Sequence, residues 1–101
     1  MKSHRLRIEE IFLIRGRGLV IIPVLPDFVP HYFKSFDANI IVIFPNGDRR
    51  MFDANIHWGH LNFGGGKGKL CPVIMLSDAS LDDIPEDSEV IISQDALDLI
   101  L

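Results

Sequence analysis

The chain has 101 residues, 48% of them hydrophobic, and a single cysteine. That length holds one core rather than two, and the apolar fraction can build it without disulfide or metal staples. A net charge of −4 argues against non-specific nucleic-acid binding, which runs on phosphate neutralisation.

The charge is unevenly spread. Residues 1–50 carry eight Lys/Arg against five Asp/Glu, and residues 51–101 carry two against nine. The acidic half suits a basic protein partner or a solvated charged face. The opening Met1-Lys-Ser-His-Arg5 has no apolar region or small-residue cleavage site after it, so no export signal is expected. The longest apolar run nearby, Leu19–Leu25, contains Pro23 and is too short to span a bilayer. The expectation is a soluble, cytoplasmic protein with no membrane contact. Cys71, beside the apolar run Pro72–Leu76, fits a buried thiol in a reducing compartment.

Along the chain, Arg5–Arg15 mixes alternation with the doublet Glu9-Glu10. A helix is conceivable there, but β-branched and aromatic content favours a strand bulged near the glutamates. Gly16-Arg17-Gly18 stops it, and Leu19–Ile22 reads as the second strand of a hairpin. Pro23, Pro26 and Pro30 exclude a central strand over 23–38. With Phe28, Tyr32, Phe33 and Phe36 this stretch reads as an ordered aromatic loop over one end of the core.

Asn39–Phe44 is a nearly continuous apolar strand, and Pro45-Asn-Gly-Asp48 is a strong turn. Arg49–His60 alternates, with Phe52, Ala54, Ile56 and Trp58 on one face and Met51, Asp53, Asn55 and His57 on the other. A glycine-rich loop over 63–69 leads into the strand Leu70–Leu76, where Pro72 marks an edge or a bulge. Ser77–Glu89 is acidic and turn-rich. Val90–Ile92 reads as a last strand. Asp95–Leu101 reads as a short helix capped by Asp95, with Leu97, Ile100 and Leu101 inward. The expected fold is all-β: a small closed or nearly closed six-stranded antiparallel barrel with a C-terminal helix, in one domain over 1–101.

Two segments resemble a known family. Ile8-Glu-Glu-Ile-Phe-Leu-Ile-Arg-Gly-Arg-Gly-Leu-Val20 and Leu70-Cys-Pro-Val-Ile-Met-Leu-Ser-Asp-Ala-Ser-Leu-Asp-Asp-Ile-Pro-Glu86 are similar to the second, β-barrel domain of elongation factor Tu and related translational GTPases. They cover about a third of the chain, and the centre, Pro23–Phe63, departs from the pattern. The resemblance implies a six-stranded barrel that packs on a GTPase domain and faces a tRNA end or the ribosome. GTP binding is not expected, because Gly64-Gly-Gly-Lys-Gly-Lys69 lacks phosphate-loop spacing.

Other features are weighed against plainer readings. His57 and His60 point to opposite faces of a strand and lack a third ligand, so a structural Trp58 flanked by polar histidines is preferred to a metal site. The Gly64–Lys69 loop is a candidate anion cradle, but a hairpin connection suffices. Arg15, Arg17, Arg49 and Arg50 are candidates for one basic end or for solvated turns. No nucleophile sits in an elbow-like motif, and Asp82-Asp83 and Glu86-Asp87 lie in a solvated turn.

The expectation is therefore a non-enzymatic module without a cofactor, binding a protein such as translation machinery or a basic toxin. The alternative is an RNA-binding module for a tRNA end, and a small-molecule pocket at the barrel mouth is a third option. Candidate binding residues are Arg15, Arg17, Phe28, Tyr32, Arg49, Lys67 and Lys69.

Overall fold

The structure, a computed structural model, describes residues 3–25, 32–61 and 69–101, with backbone alone at 60, 61, 69 and 70. Six strands form a closed antiparallel barrel: β1 (Ser3–Ile14), β2 (Gly18–Pro23), β3 (Phe36–Ile43), β4 (Arg49–Leu61), β5 (Lys69–Leu76) and β6 (Glu89–Ser93). Around the barrel the order is β1-β2-β5-β4-β3-β6. A one-turn 3-10 helix, Leu81–Asp83, lies between β5 and β6, and α1 (Gln94–Ile100) follows β6.

The inward rows are β-branched and aliphatic, as a small barrel filled by its own side chains requires. Ile21, Ile74, Ile56 and Phe36 are register partners across β2, β5, β4 and β3. Leu6, Val90 and Val42 are partners across β1, β6 and β3. Each fully buried Ile or Val contributes about 1.5–3 kcal/mol relative to an exposed one.

The β1–β2 ladder shifts register between Ile8 and Glu10, so the bulge falls at the two glutamates as the sequence suggests. The shift reverses which face each later residue takes. Leu6 and Ile8 belong to the main core, and beyond the bulge Ile11 joins them while Phe12 and Ile14 turn outward. There they meet Val20, Ile22, Cys71 and Val73 in a second, outer cluster. Cys71 is thus a buried thiol.

The stretch 23–38 needs revision at both ends. Pro23 closes β2, and Phe36, Asp37 and Ala38 open β3 opposite Ile56, Asn55 and Ala54. Between them, residues 26–31 fall outside the described residues. Phe33 is buried against Trp58 edge-on, with ring centroids 6.1 Å apart, while Tyr32 is 78% exposed. Pro72 sits opposite Trp58 in an unbroken β4–β5 ladder. Its edge character comes from the other side, where β2–β5 pairing runs only from Leu19↔Leu76 to Ile21↔Ile74.

The helix is capped by Ser93 rather than Asp95, because the Ser93 hydroxyl accepts the Ala96 amide at 3.1 Å. That earlier start buries Ala96, Leu97 and Ile100 but leaves Leu101 about half exposed.

The β1–β2 turn tests how tightly this frame is set. Gly16 has φ +82° with nothing near its missing side chain, whereas Gly18 has φ +126° and an added Cβ would lie 2.5 Å from the Leu76 carbonyl oxygen. Gly16→Ala should cost about 1 kcal/mol through left-handed strain alone. Gly18→Ala should cost about 3 kcal/mol, because strain and the clash with β5 add. Urea unfolding of both variants checks the ranking.

Candidate functional site

Strand direction sorts the candidate residues by end. The β1–β2 turn with Arg15 and Arg17, the β3–β4 turn before Arg49 and Arg50, and the 77–88 link all lie at one end, where β1, β3 and β5 finish. Arg15, Arg17 and Arg49 are exposed there. The two basic turns share that end and are separated around the barrel by β5 on one side and β6 on the other.

Lys69 opens β5 at the opposite end from Leu76, which pairs with Leu19 beside the β1–β2 turn. Seven residues of strand separate Lys69 from that level, about 23 Å at 3.3 Å per residue. A tRNA surface needs Arg15, Arg17, Lys67 and Lys69 to converge, and the strand order sets the two arginines at the opposite end of β5 from the Lys69 backbone. Phe28 and Lys67 lie outside the described residues, as do the side chains of His60 and Lys69. Exposed Tyr32, just before β3, belongs to the Lys69 end.

His57 projects from the outer face of β4. Its Nδ1 lies 2.9 Å from Asn55 Oδ1, and Asn55 Nδ2 donates to Asp37 at 3.0 Å. Because that amide oxygen only accepts, Nδ1 carries the proton of the neutral ring. Burial, and then the positive charge of Arg17, hold the His57 pKa below its ordinary 6.5. Among the described residues no group of three His, Cys, Asp or Glu side chains is placed to hold a metal ion.

At the mouth, the 77–88 link crosses between β5 and β6, which stand opposite one another in the ring. Asp83 anchors it: its carboxylate accepts from the Ser80 amide at 2.8 Å and from Arg50 Nη1 at 3.4 Å. The Ser80 amide bond is the main cause of a lowered Asp83 pKa, with Arg50 assisting. Arg50 in turn lies over the Phe52 ring at 4.7 Å. Ile84 then enters the main core.

One concavity among the described residues was not a candidate from sequence. A groove of about 760 Å3 follows β1 across its bulge, from Val24 to the segment 84–89. Ile8, Ile11 and Ile84 supply apolar lining; Glu10, Glu86 and Asp87 are exposed on its rim. The β1–β6 ladder ends at Arg7↔Glu89, although β1 continues to Ile14. Past Arg7, β2 is therefore the strand partner of β1 among the described residues, and the edge toward 84–88 has none. The Glu9-Glu10 bulge and the Ser77–Glu89 acidic stretch were each visible as signals, but their adjacency depends on the β1–β6 pairing.

Comparison with protein families, with curated proteins and with solved structures returns no match. No helix among the described residues is long and apolar enough to cross a membrane.

Two titrations follow from the electrostatics. A lowered folded-state pKa means unfolded chains bind the His57 proton first, so its share of stability is complete above pH 6.5 and falls as pH drops toward the folded value. Arg17→Ala should move the His57 NMR titration midpoint upward, toward 6.5. An unchanged midpoint would show that Arg17 does not act on the ring. For Asp83 the stability share is present above the unfolded carboxyl value and is lost as pH falls through the folded one.

Proposed function

We propose that this protein is a non-enzymatic binding module whose partner is another protein, and that the groove along β1 is the contact surface. The observation that carries this reading is the groove itself, where an apolar floor has the exposed carboxylates Glu10, Glu86 and Asp87 on its rim against one lining cation, Arg7. Apolar contacts provide affinity, and like charge on the rim selects a partner of opposite sign. A toxin with a cationic face and a basic component of the translation machinery both have that chemistry.

The resemblance to the translation-factor barrel lends background to the second of these, since its two segments include Ile8–Ile11 and Ile84–Glu86 of the groove lining. The tRNA-end reading has less support, because Arg15 and Arg17 stand at one end of the barrel and Lys69 at the other. Catalysis has none among the described residues: the carboxylates on the rim are exposed, which leaves them without the burial that tunes a general acid.

The test is site-specific photo-crosslinking in native lysate. A photoreactive residue at position 86 should yield a discrete protein adduct, and one at Asn39, on the outer face of β3, should not. Equal labelling from both positions, or none from 86, removes the groove as the contact surface.

A further inference from the structure

We infer that the occupant of the groove is an extended segment of a partner protein in which Lys or Arg alternates with apolar residues. This inference rests on the binding reading above and specifies the chemistry and conformation of what binds.

Three observations converge on that occupant. The first is charge. Glu10, Glu86 and Asp87 are exposed on the rim, and none forms an ion pair with a described residue. Glu89 is partly engaged, since Arg5 Nη2 lies 2.6 Å from its Oε1. A cationic segment relieves the repulsion among the remaining carboxylates and gains their attraction.

The second is the lining. Ile8 and Ile11, both part-buried, present apolar surface between the charged flanks beside the buried Ile84, so a purely cationic chain leaves them uncovered. The third is the edge of β1. From Glu10 to Leu13 the strand pairs with β2 on one side, and on the other the β6 ladder has already ended. An extended chain lying along that edge presents alternate side chains to opposite sides. One set then covers the isoleucines and the other meets the rim.

A second copy of this chain is a poor occupant. Two copies meeting at their grooves bring the same acidic rim, Glu10, Glu86 and Asp87, from both molecules together, and like charges opposed at a contact destabilise it.

The experiment uses the full chain and three ten-residue capped, fluorescein-labelled peptides. One alternates lysine and valine, one places five lysines before five valines, and one alternates glutamate and valine. Fluorescence anisotropy at low salt should show the alternating lysine peptide binding at least tenfold more tightly than the block peptide. The glutamate peptide should not bind. Glu86→Lys/Asp87→Asn removes both charges on an exposed turn and keeps a residue that tolerates the left-handed φ of +65° at position 87. It should weaken the lysine peptide at least tenfold and leave the urea midpoint nearly unchanged.

Equal affinity for alternating and block peptides overturns the extended geometry. Binding that ignores the double variant overturns the site. Absence of any peptide binding, while residue 86 still crosslinks a protein, overturns the inferred occupant and leaves the binding reading standing. A concentration-dependent dimer in light scattering that Glu86→Lys/Asp87→Asn changes assigns the groove to a second copy and likewise overturns it.

Discussion

The register break at Glu9-Glu10 is the constraint on which the barrel depends. β1 must pair with β6 through Ser3–Arg7 and with β2 through Ile8–Ile14, and these neighbours approach it at different heights. An unbroken strand would carry its inward phase through Leu6, Ile8, Glu10 and Phe12, setting a carboxylate into the core. Leaving an ionised group there is far more costly than a local bulge. The extra residue lets both glutamates stay in water and hands the inward positions to Ile11 and Leu13. Phe12 and Ile14 are left to cover Val20 and Ile22 from outside, which creates the second cluster around Cys71.

Much of the barrel was legible because local signals agreed with the final contacts. Alternation in Arg49–His60, the Asn46-Gly47 turn and the Gly16–Gly18 stop all specify strands and hairpins without help from distant residues. The errors fell where tertiary partners decide. Proline content marked 23–38 as loop, yet Phe36–Ala38 pairs with β4 because Phe36 and Ala38 complete inward rows with Ile56 and Ala54. Asp95 and Ser93 are both good caps, and the hydroxyl at 93 wins because β6 runs straight into the helix there.

The groove was illegible for a different reason. Its two acidic sides, Glu9-Glu10 and Glu86–Glu89, lie more than seventy residues apart in the chain and meet only because the barrel closes through β1 and β6. Charge counting identified an acidic half, which is a compositional fact. It does not say that one acidic doublet from the basic half joins it. The basic candidates show the converse: Arg15 and Arg17 share one turn and Arg49 follows another at the same end of the barrel, while Lys69 is at the far end of β5.

Electrostatics at the mouth separates what holds the fold from what is left over. Arg50 meets Asp83 and Arg5 meets Glu89, each pair largely exposed and worth about 0–1 kcal/mol. These pairs fix the path of the 77–88 link more than they stabilise it. Glu10, Glu86 and Asp87 have no such counterpart among the described residues, although the chain carries ten Lys and Arg. Their mutual repulsion opposes folding slightly, since water and salt screen it over about 8 Å. No packing need accounts for them, because their side chains are exposed rather than filling the core. Beside an open strand edge and an apolar floor, that residual charge is the feature on which the proposed binding role rests.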